Sequence, residues 1–190
     1  MKKVWIVMFL FFSLTGLFEG ARDIEDENYV LVLGIDENVQ GGYVFTFLYQ
    51  DGTKEEKKVL SFKGDSFDEV RMQYDKMAYK NLEIGHVKAV LVGEGLLQAD
   101  KKAGVLEELE KVDIPYLCYV YQTGNAKEIL EQEAAEAFGL TTLLYQGFLG
   151  ENKEERAQLV DLFSDSASKK EIVSIKLNEK GIKADISVNP

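Results

Sequence analysis

A single cysteine, Cys118, and a single histidine, His86, close off much of the chemistry open to a chain of 190 residues. One cysteine forms no intramolecular disulfide. One of each cannot assemble a zinc site, which takes a cluster of such ligands. A histidine base also needs a nucleophile within hydrogen-bond reach, and no nucleophile-elbow sequence supplies one. Cys118 has no neighbouring His or Lys pair to lower its pKa, so it reads as a buried structural thiol in Pro115-Tyr-Leu-Cys-Tyr-Val-Tyr121.

Positive charge is scarce too. There are 22 basic against 33 acidic residues, a net charge of -11. Setting aside Lys2, Lys3 and Glu19 in residues 1–21 leaves 20 basic and 32 acidic. The lysines in Lys54–Lys58 and Lys169-Lys170 lie beside glutamates, so no basic patch forms. Nucleic acid is excluded as a partner, and an anionic membrane surface is repelled. The acids themselves follow no metal-loop spacing. Asp23, Glu25, Asp26, Glu27, Asp36 and Glu37 lack the alternating oxygens and glycine of a calcium loop. No carboxylate pair stands out for glycoside hydrolysis. Gly93-Glu94-Gly95 is too short for a dinucleotide fingerprint, and Glu94 opposes phosphate. No catalytic, cofactor-binding or metal-binding residue is assigned, no cofactor is implied, and the chain reads as a non-enzymatic binding or assembly module.

What is present begins at the N-terminus. Lys2 and Lys3 precede the apolar run Val4–Phe12, which fades through Ser13-Leu14-Thr15-Gly16-Leu17. This is the pattern of an export signal. Leu14-Thr15-Gly16 is similar to a bacterial lipobox, but Leu17 stands where the acylated cysteine belongs and has no thiol to modify. Cleavage after Ala21 places Glu19 three residues before the cut, and cleavage after Gly16 places Leu14 there. Both are poor, which favours retention as a short membrane anchor over removal. Residues 1–21 are therefore taken as a signal peptide or anchor, and 22–190 as a single globular domain.

In the body, Tyr29–Asp36 reads as a central strand buried on both faces. Tyr43–Tyr49 returns as its hairpin partner, and Lys58–Phe62 follows as a third antiparallel strand. Ser66 with Glu69 makes a capping box for a helix over 67–80, with Phe67, Val70, Tyr74 and Met77 on one face. A strand over 87–92, a helix over 104–111 that starts earlier if its cap does, and a strand over 116–121 come next. Asn125 caps a helix over 126–138, stopped by Gly139. Residues 141–149 fit strand or irregular structure, and 153–163 read as a helix. Glu171–Leu177 and Ile182–Val188 alternate as a terminal hairpin with one solvated face. The order predicts a mixed α/β fold, α+β-like. Its mixed sheet is covered by helices, with an antiparallel hairpin at each end of the chain.

Several segments resemble one family, the Ger(x)C spore-germination lipoproteins. The lipobox-like Leu14-Thr15-Gly16 is followed by Arg22-Asp-Ile-Glu25 and by Val32-Leu-Gly-Ile-Asp36. Asn81-Leu-Glu-Ile-Gly-His-Val-Lys88 then precedes a strand ending Gly93-Glu94, and Gly124-Asn-Ala-Lys-Glu-Ile-Leu130 opens a helix. The likeness covers residues 14–135. It implies the N-terminal domain of a C subunit of a nutrient germinant receptor. Such a subunit lies on the outer face of the spore inner membrane beside integral membrane subunits and has no enzymatic activity. His86 becomes a structural residue of a helix-to-strand turn, and Asp36 makes a turn hydrogen bond. Leu17 departs from the family's anchor, and the chain is about half a family member's length, which suggests a truncated paralogue, a pseudogene-like fragment or a stand-alone regulator that keeps the partner-binding face. The alternative reading is a secreted or anchored small-ligand-binding protein with a pocket among the loops at Asp36, Gly93 and Thr123.

Overall fold

A computed structural model of the chain describes residues 27–51, 56–136, 140, 156–164, 172–178 and 181–185. The apolar run, the 141–149 segment and Gly139 lie outside these residues, as do residues 153–155 of the 153–163 helix expectation.

Strand β1 (Glu27–Glu37) is the axis of the sheet. It pairs antiparallel with β2 (Tyr43–Asp51), which pairs antiparallel with β3 (Lys57–Gly64). The β1–β2 turn uses Gly41 and Gly42 at φ of 99° and 73°, a region only glycine enters without strain. On its other side β1 pairs parallel with two short strands in succession. These are β4 (Asn81–Glu83), beside Glu27–Tyr29, and β5 (Ala89–Gly93), beside Val32–Ile35. Strand β4 is absent from the sequence reading because three residues carry too little periodicity to detect. Beyond β5 come β6 (Tyr119–Thr123) and β7 (Val173–Asn178), both parallel, and then β8 (Gly181–Asp185), antiparallel. The mixed α/β architecture with a hairpin at each end is therefore observed.

Alternation along the strands splits the core in two. Val90 and Val92 of β5 join Phe45, Phe47 and Val120 on one face, under α1 (Phe67–Met77) and α2 (Ala99–Lys111). Ala89 and Leu91 join Leu48, Tyr119 and Tyr121 on the other, under α3 (Ala126–Glu136). Burial on both faces explains why β1 and β5 read as unbroken apolar runs.

Helix α1 is shorter than its apolar spacing suggests. Ala78 turns extended, leaving Met77 60 % exposed instead of in the core. Ser66 accepts from Glu69 N at 3.3 Å, as a capping box requires, but the Glu69 carboxylate accepts from Asp65 N instead of Ser66 N. Helix α2 starts at Ala99, after a 3-10 turn over Glu94–Leu97. The strand expected over 116–121 begins only at Tyr119, since Tyr116 and Leu117 form an exposed turn closed by Cys118 N donating to Pro115 O. Of the described part of this segment, 156–163, Arg156–Gln158 runs extended beside β6 and α4 (Leu159–Phe163) is helical. Nor does the first part of β7 have a solvated face: Val173, Ser174 and Ile175 are all buried. The sheet continues on both sides, with β6 on one and β8 on the other, so alternation here records a buried hydroxyl.

Helix α3 comes closest to the sheet at Gly34. A β-carbon there would lie 3.0 Å from both Ala126 Cβ and Leu130 Cδ1. Replacing Gly34 by Val is expected to cost about 1–3 kcal/mol, the usual penalty for overpacking. A lowered urea midpoint with an unchanged slope would show it.

Candidate functional site at the strand ends

Parallel strands β1, β5 and β6 finish together, and their loops surround an open cleft of about 340 Å³. In sheets of this kind the crevice beyond the carboxyl ends of the strands is where ligands bind. Asp36, Gly93, Glu94, Gly124, Asn125 and Lys127 are among its walls. The Asp36 and Gly93 loops do converge, and Thr123 lies just behind them, buried, its hydroxyl accepting from Asn125 N at 3.4 Å.

Asp36 makes no local turn contact. Its two carboxylate oxygens accept from the backbone N–H groups of Ala126 and Lys127, each at 2.8 Å. These are among the first, unsatisfied donors of α3, where the helix dipole favours negative charge. Asn125 completes the cap by accepting from Glu128 N at 3.1 Å, as its position predicts. Gly93 makes room: a β-carbon on it would come within 3.2 Å of Asp36 Oδ1. Burial pushes the Asp36 carboxyl up, while the two backbone donors and then Lys127 pull it down. The helix terminus that elsewhere receives a phosphate or carboxylate ligand is thus filled by the protein's own side chain.

A second cleft of about 460 Å³ adjoins the first across Glu37 and is lined by Asp65, Asp100 and Lys101. Lys101 donates to both Glu37 oxygens, at 2.6 and 2.8 Å. Among the described residues no group of His, Cys, Asp and Glu is arranged to hold a metal ion.

His86 lies at the opposite end of the sheet. It is exposed in the turn between β4 and β5, not between a helix and a strand, with its ring 5.4 Å edge-on to Tyr29. No hydrogen bond joins His86 and Cys118. Cys118 is 4 % exposed, and burial raises its pKa to about 12. Tyr119 and Tyr121 share a face as expected, their rings 6.5 Å apart under α3.

Two buried glutamates escaped the sequence reading. Glu108 of α2 accepts from Phe67 N at 2.7 Å and from Lys111 Nζ at 2.8 Å, so it holds the start of α1. Glu133 of α3 accepts from Lys57 Nζ at 2.8 Å and Leu140 N at 2.9 Å. The available signal was their place on the apolar stripe, Glu108 three residues after Val105 and Glu133 three after Leu130.

The family profile described as "Spore germination protein N-terminal domain" matches residues 20–177. The chain belongs to that family. The match runs well past residue 135, where the resemblance of individual motifs ends, and takes in α4 and nearly all of β7. A comparison with curated protein sequences found no match.

Two outcomes follow from this geometry. Asp36→Ala leaves the Ala126 and Lys127 N–H groups unpartnered, and a loss of about 1–3 kcal/mol is expected from equilibrium unfolding. Cys118 is expected to stay unmodified by a thiol reagent at neutral pH until denaturant unfolds the chain, because the reactive thiolate is suppressed by burial. Labelling of the native protein at the rate of a free thiol would contradict this.

Proposed function

We propose that this chain is a non-catalytic subunit of the germinant-receptor C type, exported and membrane-associated, acting in spore germination by assembling with integral membrane subunits. The match to the germination-protein domain over residues 20–177 carries the reading. The site chemistry agrees with it. The carboxylate best placed for chemistry, Asp36, is committed to two backbone donors, and His86 and Cys118 stand apart. Such side chains fix a surface instead of attacking a bond. The body is residues 22–190 as one domain, and residues 1–21 supply export and attachment. Among the described residues no helix is long and apolar enough to cross a membrane. Attachment in this reading falls to the apolar run Val4–Phe12 and the residues after it, on the extracytoplasmic side of the spore inner membrane.

The cleft at Asp36 and Gly93 favours a second reading, a small-ligand-binding protein. Its acidic walls and self-capped helix suit a neutral or cationic small molecule better than an anion.

The test is to tag the C-terminus, purify the chain from detergent-solubilised membranes of the sporulating host, and identify what accompanies it. Multi-spanning receptor subunits are the expected companions. Recovery of the chain alone, or only from the soluble fraction, overturns the assembly role. Thermal stabilisation by a small molecule in the absence of those subunits would instead support the second reading.

A further inference from the structure

Among the described residues, most large apolar side chains that face solvent are gathered at one end of the sheet. Strands β1, β4, β5 and β6 run in one direction, so their first residues share an end. The turn into β4 places Tyr79 there, 94 % exposed, beside the 60 % exposed Met77. The turn into β6 places Tyr116 and Leu117 there, 53 % and 66 % exposed. Helix α4 is fastened to that second turn, Val160 N donating to Tyr116 O at 2.9 Å. Its half-exposed Phe163 lies edge-on to Tyr116 with ring centroids 5.9 Å apart. Val160 of α4, 40 % exposed, belongs with them, and among the described residues only Met72, along α1, and Val39, in the β1–β2 turn at the far end, stand outside this group of exposed large apolar residues.

That end is also where the chain enters the domain. Glu27, the first residue of β1, pairs with Asn81 at the start of β4. In the sequence, residues 19–26 separate it from the apolar stretch that runs to Phe18. Eight residues reach at most about 29 Å even when fully extended. A bilayer holding that stretch therefore lies within reach of this end of the sheet. The acidic clefts around Asp36, Glu37 and Asp100 open at the other end.

We infer that the end of the sheet carrying Tyr79, Tyr116, Leu117 and Phe163 is a lipid-contacting surface that seats the domain on the bilayer. This rests on the membrane-retention reading given under Proposed function. Tyrosine and other aromatic side chains settle at the headgroup boundary, where an apolar ring and a polar tip are both accommodated. Leucine and phenylalanine beside them bury apolar area in the same layer. The side chains come from two separate turns and a short helix at one end of the sheet, which suits a planar, yielding surface better than a protein groove. The net charge of -11 selects neutral headgroups over anionic ones. The contact adds to the N-terminal segment and fixes which end of the domain faces outward.

The test uses the full chain reconstituted in phosphatidylcholine vesicles whose acyl chains are brominated near the headgroup, so that contact quenches tryptophan emission. Trp5 is the only tryptophan and lies within the apolar stretch, so its quenching reports insertion of that stretch alone. In a Trp5→Phe background, Tyr79→Trp and Leu117→Trp report on the proposed surface, and Val39→Trp reports on the opposite end. All three positions are more than half exposed, so the core is untouched. Quenching and a blue shift are expected for Tyr79→Trp and Leu117→Trp, with water-like, unquenched emission for Val39→Trp. Water-like emission from the first two while native Trp5 is quenched overturns the contact but leaves the anchor standing. Unquenched Trp5 removes the anchor and the contact together. A concentration-dependent blue shift without lipid quenching would assign the surface to a second copy of the chain and overturn the lipid contact.

Discussion

The Asp36 carboxylate, reaching from the end of β1 to the first turn of α3 some 90 positions later, holds the far side of this domain in place. A helix laid across a sheet buries an apolar stripe, but burial does not fix where along the strand it sits. Two charge-assisted hydrogen bonds do, because they are directional and the donors have no other intrahelical partner. Gly34 and Gly93 serve the same arrangement. The first lets α3 approach the sheet to within contact of Ala126 and Leu130, and the second leaves room for the carboxylate. Gly-Ile-Asp at the end of β1 is thus one device for seating a helix, with Ile35 filling the core on the opposite face.

The opposite layer repeats the principle with a different donor. Glu108, buried on α2, holds the first amide of α1 and is itself balanced by Lys111. Glu133, buried on α3, joins that helix to Lys57 at the sheet edge. Replacing the partly exposed lysine of either pair leaves a buried glutamate without its counter-charge, which costs more than the pair contributes net. These three carboxylates give a moderately sized domain a defined helix arrangement without a disulfide or metal. Their chemical consequence is local: these three carboxylates are already engaged by backbone amides.

The two ends of the sheet consequently differ in character. Acidic clefts occupy the ends of the parallel strands, and exposed aromatic and aliphatic side chains occupy their beginnings. In the proposed membrane-seated arrangement, that polarity would give the module an orientation. An assembly partner approaching from outside would meet carboxylates and the self-capped helix. The lipid-side surface would meet Tyr79, Tyr116 and Leu117.

Wherever a single chain segment carried its own signal, the sequence was sufficient. The buried strands β1 and β5 showed as apolar runs, α1 as a three-and-four spacing behind Ser66, and α3 as a stripe behind Asn125, because those patterns are set by residues adjacent in the chain. The same locality made Cys118 legible as a core thiol. It failed where length or contact partners were decisive. Strand β4 is too short to have a period, and Met77 falls outside the core because Ala78 leaves the helix one turn early. Ser174 is buried on a strand flanked by β6 and β8. The loops at Asp36 and Gly93 could be guessed to meet, but the role of Asp36 could not: its partners, Ala126 and Lys127, are distant in sequence. The sequence by itself determined the fold class, the charge and the family. Only the tertiary structure decided which carboxylates are spent holding helices and which end of the sheet is left apolar, since both depend on groups brought together only when the chain has folded.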